Sequence, residues 1–155
     1  MVESEESMQN FILKYFNDLT AQEVYDLLQL REEVFQIEQN CIYKDIDDKD
    51  QHCWHLLLYK ENELLAYARL IPEGISYDKY VSVGRVVSKT KYRKKGYGRL
   101  LMSEAMKQME ILFPAKPIKI SAQLYLQKFY ESFGFAAAGE WYMEDDIPHI
   151  AMIKK

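Results

Sequence analysis

The spacing of apolar residues along this chain switches repeatedly between the two-residue period of strands and the roughly 3.6-residue period of helices. Strand character occurs at residues 11–16, 52–59, 64–71, 80–87, 118–122, 140–143 and 149–153. Helix character occurs at residues 21–38, 98–112 and 124–133. This order, β-α-β-β-β-α-β-α-β-β, predicts a protein of the α/β (α+β) class in which helices cover a mixed sheet.

Local sequence signals mark two of the helix boundaries. Thr20 and Glu23 form a capping-box pattern, so the first helix is predicted to begin at about Ala21. Gly134 directly follows the last helical segment, where a residue in the left-handed conformation commonly ends a helix. With 155 residues and no linker or repeat, the chain is expected to form a single domain over residues 1–155, with residues 1–9 as a loose tail.

The composition argues against several classes of protein. Apolar residues make up 48% of the chain, which supports a packed core and is unlike a disordered chain. The net charge of −4 argues against a basic nucleic-acid-binding protein, and no apolar run approaches the roughly 18 residues of a membrane span. The acidic start, with Glu3, Glu5 and Glu6, is unlike a signal peptide. Cys41 and Cys53 form neither a disulfide framework nor a CxxC metal pair, so we expect a reducing, cytoplasmic location and no metal.

A basic, glycine-containing loop between the strand at residues 80–87 and the helix at residues 98–112 gives the strongest chemical signal. Gly96 and Gly98 allow the backbone to approach a ligand closely. Cationic side chains surround this point at Arg93, Lys94, Lys95 and Arg99. Because the N–H groups at the start of a helix attract anions, the loop predicts a pyrophosphate site. The P-loop sequence and the third glycine of a dinucleotide fingerprint are both absent.

From the loop alone, two other interpretations stay open. A lysine-rich loop with two glycines can be an ordinary solvated turn. A basic run such as residues 89–99 can also neutralise nucleic-acid phosphates, although no second basic strip accompanies it in this sequence.

Two short motifs resemble those of the GNAT N-acetyltransferase superfamily. The run Arg93-Lys94-Lys95-Gly96-Tyr97-Gly98 is similar to the superfamily motif (Q/R)xxGx(G/A). Residues 123–135 are similar to the superfamily pattern NxxAxxxYxxxGF, with matches at Tyr130, Gly134 and Phe135. In this second motif, Gln123 takes the place of the usual asparagine and Leu126 that of the usual alanine.

The resemblance extends over nearly the whole chain and is most specific for the ElaA-like branch. It is carried by Asp47 and by residues 30–39, 41–43, 55–57, 84–87 and 144–150. It implies the GNAT fold, with a mixed, mostly antiparallel central sheet of about seven strands flanked by helices. It also implies an acetyl-CoA-dependent N-acetyltransferase that moves an acetyl group directly to the primary amine of a small molecule, peptide or protein. We expect a monomer or homodimer with no nucleic-acid or membrane partner.

The resemblance further implies roles for individual residues. The pantetheine arm of acetyl-CoA would lie along Val86 and Val87, with a further contact from Gln123. The pyrophosphate would bind the loop made of Arg93, Lys94, Lys95, Gly96, Tyr97, Gly98 and Arg99. Tyr130 would be the acid that serves the leaving sulfur, since a phenol is a hydrogen-bond donor at neutral pH.

The sequence does not single out the general base. We take Glu38, at the end of the first helix, and His149, beside a proline at the start of a late strand, as catalytic candidates. An imidazole can accept a proton near neutral pH. Asp47, His55 and a chain of water molecules remain as alternatives.

An acidic run precedes the second predicted strand. Its members are Asp45, Asp47, Asp48 and Asp50, and their spacing fails the pattern of a calcium-binding loop. We expect a solvated acidic loop. In the alternative interpretation, these carboxylates join Glu144, Asp145 and Asp146 to make one end of the acceptor cleft negative and attract a cationic amine.

The main alternative to an enzyme is a catalytically inactive acyl-CoA-binding regulatory module. The glutamine at Gln123 favours it, because that side chain is one methylene longer than the usual asparagine. A nucleic-acid-binding protein that uses residues 89–99 is the third class.

Overall fold

The computed structural model describes residues 9–40 and 42–155, so Cys41 and the predicted tail, apart from Gln9, lie outside the described residues. The strands and longer helices are β1 (Gln9–Tyr15), α1 (Ala21–Arg31), β2 (Trp54–Lys60), β3 (Glu63–Ile71), β4 (Ser82–Ser88), α2 (Tyr97–Leu112), β5 (Ile118–Gln123), α3 (Gln127–Glu131), β6 (Ala136–Ala137), β7 (Tyr142–Glu144) and β8 (Ile147–Lys154). Shorter helical segments are a π-helix at Glu32–Glu38 and 3-10 helices at Phe16–Asp18, Asp50–His52, Thr90–Tyr92 and Leu124–Leu126. No helix in the two described ranges combines the length and apolar character that a membrane crossing requires.

The predicted α/β class with mainly antiparallel pairing is confirmed, but the described strands form two sheets instead of one. The first sheet has the order β1-β2-β3-β4, and every neighbouring pair in it is antiparallel. In the second sheet, β8 pairs antiparallel with β5, β6 and β7. The two-residue β6 raises the strand count above the predicted seven, because so short a strand leaves no periodic pattern in the sequence.

The two sheets meet at the beginning of β4 and β5. The amide of Lys119 donates to the carbonyl oxygen of Val81 at 2.9 Å, and the amide of Val81 donates to Pro117 at 3.2 Å. These bonds form a parallel bridge between Val81 and Ile118. No further ladder joins β4 to β5 in the described part of the chain. The strands separate beyond this bridge, which leaves an opening between the two sheets.

Helices cover both faces of the first sheet. Successive side chains of a strand point to opposite faces, so Leu56 and Leu58 of β2 pack in the core cluster that contains α2, whereas Leu57 packs in the cluster that contains α1. The buried face of α2 consists of Leu101, Met102, Ala105 and Met109. This packing fixes the start of α2 relative to β4 and therefore positions the basic loop between them.

Two predicted helices differ from those observed. The capping box is present, with the Glu23 amide 3.1 Å from Thr20 Oγ1 and the Thr20 amide 2.8 Å from Glu23 Oε1. However, the helix predicted over residues 21–38 changes from α to π geometry at Glu32, which apolar spacing does not indicate. The helix predicted over residues 124–133 is a 3-10 turn followed by the five-residue α3. Gly134 has the predicted left-handed conformation, with φ of +96°.

Candidate active site

A cleft of about 370 Å³ lies where β4 and β5 separate. Residues of both strands line it, together with residues of the π-helix, the start of α2 and α3. Of the residues predicted for the site, the cleft brings together Val86, Val87, Arg93, Gly98, Gln123, Tyr130 and His149. The remaining ones, which do not line it, are Glu38, Lys94, Lys95, Gly96, Tyr97 and Arg99.

The wall formed by β4 contains a bulge. The register with β3 shifts by one residue between Tyr67 and Arg69, so that Arg85 and Val86 stand opposite the single residue Ala68. Arg85 has a φ of +52°, which is uncommon for a residue other than glycine. A bulge leaves its extra residue unpaired in the ladder, so the backbone of β4 can offer polar groups to a ligand here.

The N-terminus of α2 reaches the cleft through Gly98. Gly96 caps this helix with a φ of +83°, a conformation that favours glycine. The first N–H groups of a helix have no intrahelical partner, so those of Tyr97, Gly98 and Arg99 can bind an anion. A Cβ atom at Gly98 would meet no protein atom within 4 Å and would occupy open space beside these N–H groups. The geometry therefore fits an anionic group such as a pyrophosphate.

Tyr130 of α3 contributes its phenol ring to the same cleft. The residue is only 7% exposed and packs edge-to-face against Phe129 and Phe135. Burial raises the pKa of the Tyr130 hydroxyl, so this group remains protonated at neutral pH. No hydrogen bond joins it to any other residue in the described ranges. The hydroxyl is therefore a donor available to a ligand.

The family model described as the acetyltransferase (GNAT) domain matches residues 15–155. This chain belongs to the GNAT acetyltransferase family. It is 44% identical to a UPF0039 protein of Schizosaccharomyces pombe over 144 residues, which cover 92% of this chain and 94% of that protein. It is 41% identical to the protein ElaA of Escherichia coli over 143 residues, which cover 91% of this chain and 93% of ElaA.

Solved structures agree with this assignment. The structure of an acyl-CoA N-acyltransferase from Pseudomonas aeruginosa has a TM-score of 0.88 and 42% identity, covering 94% of this chain and 99% of that chain. Escherichia coli ElaA has a TM-score of 0.87 and 39% identity, covering 94% and 99% of the two chains. The predicted GNAT resemblance, including its ElaA-like branch, is confirmed, and the chain is an acyltransferase domain.

Near the cleft, the carboxylate of Glu38 is bound to the basic loop. Arg93 Nη2 donates to Glu38 Oε2 at 2.8 Å, and Arg93 Nη1 also pairs with Glu38 Oε1. The Thr90 hydroxyl donates to the same carboxylate at 2.9 Å. Glu38 thus joins the end of the π-helix to the loop.

The other cations of the basic loop differ in their surroundings. The Arg99 guanidinium lies over the rings of Phe129 and Phe133, 5.4 and 5.2 Å from their centroids. Lys94 and Lys95 are exposed, and neither contacts an acidic side chain in the described residues. These two lysines are therefore the cations most available to phosphate groups.

His149 of β8 lies in the cleft beside Glu144 of β7. The Nδ1 atom is 2.7 Å from the carbonyl oxygen of Ile147, and because a carbonyl only accepts, the Nδ1 atom carries the hydrogen. In the neutral ring, Nε2 therefore holds the lone pair, and it lies 3.5 Å from Glu144 Oε2. The ring also stacks on Tyr142. This arrangement allows Nε2 to accept a proton and allows Glu144 to stabilise the resulting cation.

The interpretation of the acidic run as a solvated loop is wrong. Asp45, Asp47 and Asp50 are paired with arginines, and the run folds against the first sheet. Arg69 donates two hydrogen bonds to Asp47, each of 2.9 Å. Burial alone would raise the pKa of Asp47, but the hydrogen bonds and charge of Arg69 outweigh it and lower the pKa to about 2. The negative charges of these three carboxylates are thus balanced by arginines inside the protein.

His55, named above as an alternative base, and the cysteine Cys53 both belong to the interior. His55 is fully buried, with Nε2 2.9 Å from the carbonyl oxygen of Asp50 and Nδ1 2.6 Å from the Tyr67 hydroxyl. Burial lowers the pKa of His55, and both ring nitrogens are occupied. Burial raises the pKa of the Cys53 thiol to about 11, so it is a poor nucleophile at neutral pH.

Several cleft residues were not predicted as site residues, among them Phe35, Gln39, Tyr43 and Arg85. These four stand within the segments that resemble the ElaA-like branch, so the sequence did contain a signal for them. Their roles depend on the π-helix and on the β4 bulge. Neither feature has a recognisable local pattern in this sequence.

Proposed function

We propose that this protein is an acetyl-CoA-dependent N-acetyltransferase that transfers the acetyl group directly to a primary amine. One observation carries the proposal: a helix N-terminus with space at Gly98, the free hydroxyl of Tyr130 and the imidazole of His149 all border one cleft. An anion site, an acid and a base are the groups that this transfer requires.

The chain's own residues would bind the donor along β4 and α2. The N–H groups of Tyr97, Gly98 and Arg99 would donate hydrogen bonds to the pyrophosphate, with Lys94 and Lys95 adding positive charge. The pantetheine arm would follow the backbone of Val86 and Val87, and Gln123 would hydrogen-bond it from β5. Acetyl-CoA supplies an activated thioester when bound.

Proton movement would involve two titratable groups of the cleft, His149 and Tyr130. His149 Nε2 would take a proton from the acceptor's ammonium or from its attacking amine, which must be neutral to react. Glu144 would stabilise the imidazolium that forms. The Tyr130 hydroxyl would donate its proton or a hydrogen bond to the sulfur as the carbon–sulfur bond breaks. Glu38 remains the alternative base, and it would first have to leave Arg93.

A thiol-release assay tests the proposal. The protein is mixed with acetyl-CoA and a panel of primary amines, which includes diamines, amino acids and lysine peptides, and free CoA is measured with and without each amine. Amine-dependent CoA release that requires Tyr130 is expected. Saturable acetyl-CoA binding without release for any amine would contradict the proposal and would indicate an inactive acyl-CoA-binding module.

A further inference from the structure

One buried carboxylate touches both α1 and the bulge of β4. Asp45 accepts a hydrogen bond from Arg31 Nε at Oδ2, at 2.9 Å, and another from Arg85 Nε at Oδ1, at 2.8 Å. Its main-chain carbonyl oxygen accepts a second bond from each arginine, at 2.9 and 3.1 Å. Each guanidinium is therefore held at two points by the same residue, which fixes its orientation.

The bulge requires such support. Arg85 is left-handed, and a residue other than glycine keeps this conformation only where its surroundings hold it. The contact between Arg85 and Asp47 is longer, at 3.4 Å, so Asp45 makes the short bonds. On the cleft side, the Arg85 guanidinium lies over the ring of Tyr43, 5.6 Å from its centroid.

We propose that Asp45 is a positioning residue: by holding Arg85, it fixes the bulged part of β4 against which the acyl donor lies. This inference rests on the proposed function, because it concerns the same cleft. Asp45 acts through the backbone of β4 and is not itself assigned to the reacting atoms. Loss of its charge loosens the bulge and misplaces the donor, and a misplacement on the order of 1 Å can reduce a rate about a hundredfold.

A purely structural role is the alternative, and Asp50 supplies the matched control. Asp45 and Asp50 are each 7% exposed, and both accept a hydrogen bond from Arg31. The other arginine partner of Asp50 is Arg69, at 2.9 Å, and no contact joins Asp50 to Arg85 in the described residues. Asp50→Asn therefore removes the same charge from the same network and leaves the contacts of Arg85 with Asp45 and Asp47 in place.

Hydrogen–deuterium exchange of β4 in Asp45→Asn and Asp50→Asn separates the two roles. We expect the β4 amides that pair with β3 on either side of the bulge to exchange at least about tenfold faster in Asp45→Asn than in Asp50→Asn, since their local opening depends on Arg85. We also expect kcat/KM for acetyl-CoA to fall by about tenfold or more in Asp45→Asn and by less than about threefold in Asp50→Asn. Equal exchange and equal kinetics in the two variants would overturn the proposal.

A second variant covers the case in which Asp45→Asn does not fold. Arg85→Gln removes the other half of the contact at a partly exposed side chain, and it should give the same fast exchange in β4. Exchange no faster than in Asp50→Asn would again overturn the proposal. The exchange measurement needs no turnover, so it decides the role of Asp45 even if no amine is acetylated and the proposed function fails.

Discussion

Gln39 and Gln123 join their side-chain amides across the cleft, each donating to the other's oxygen at 3.3 to 3.4 Å. Gln39 follows the π-helix, and Gln123 ends β5, so the pair links two elements that border the cleft proposed for the donor. Both bonds are long for amide hydrogen bonds and are therefore easily exchanged for bonds to a ligand.

Variants of this pair should have different effects on acetyl-CoA affinity. Gln123→Ala removes the proposed pantetheine contact, and the loss of one neutral hydrogen bond should raise the Kd by about three- to tenfold. Gln39→Ala removes only the hydrogen-bond partner of Gln123, so the Kd for acetyl-CoA should stay unchanged or fall. Isothermal titration of the two variants checks this, and equal weakening in both would contradict a separate role for Gln123.

Tyr130→Phe should lower kcat and leave acetyl-CoA affinity intact. The substitution removes a hydroxyl that makes no hydrogen bond within the described residues, so folding should not suffer. Loss of a positioned acid typically lowers a rate by about 10²- to 10⁴-fold. Steady-state kinetics with titration of acetyl-CoA gives both quantities, and Tyr25→Phe, at an exposed tyrosine of α1, is the control. An unchanged kcat would make Tyr130 a packing residue.

Two variants distinguish the candidate bases. In His149→Asn, the amide nitrogen can still donate to the Ile147 carbonyl, but the proton-accepting Nε2 is gone. We expect kcat to fall by about a hundredfold or more in this variant and to change by less than about threefold in Glu38→Gln, whose side chain holds Arg93. If kcat, measured at saturating acetyl-CoA, instead fell in Glu38→Gln and not in His149→Asn, Glu38 would be the general base.

Stability should fall as the pH drops below about 6.5, the ordinary pKa of histidine. Because the pKa of His55 is lowered in the folded protein, the unfolded chain binds a proton that the folded chain does not bind. The free energy of unfolding therefore decreases with falling pH, by at most about 1.4 kcal/mol per pH unit for this group. Urea denaturation at a series of pH values between about 8 and 5 measures how steeply the free energy of unfolding changes with pH.

His55→Gln should reduce the dependence of the free energy of unfolding on pH. It should also lower stability at high pH, where the neutral ring of His55 makes two hydrogen bonds in the parent protein. His52→Gln, at an exposed histidine, should keep the pH dependence of the parent protein. If both variants behaved like the parent protein, the buried imidazole would not be the source of the acid sensitivity.

Local chemistry explains which features could be predicted from the sequence. The capping box at Thr20 and the left-handed Gly134 depend on a few neighbouring residues, so the local sequence is sufficient to predict them. The same holds for the loop around Gly96 and Gly98, where glycine spacing and the start of a helix coincide. These features predicted two helix boundaries and the loop that we propose as the donor site.

Features that depend on distant contacts could not be predicted. Asp45 and Asp50 form part of a charged run that looks solvated, yet Arg31, Arg69 and Arg85 come from three separate elements to pair with the run. The change from α to π geometry at Glu32 likewise has no local sequence pattern. The sequence left the base undecided, because the environment of the candidate His149 is set by the β7–β8 hairpin and not only by adjacent residues.

Calorimetric titration with acetyl-CoA, on the parent protein and on Gly98→Val, tests the central claim most directly. The new side chain enters open space, so the fold should persist while the N–H groups of α2 become inaccessible to a pyrophosphate. Ser103→Val, on an exposed position of α2, controls for a β-branched residue in this helix. The account predicts saturable binding in the parent protein and in Ser103→Val, and its loss in Gly98→Val. Equal binding in all three proteins, or none in the folded parent protein, would contradict it.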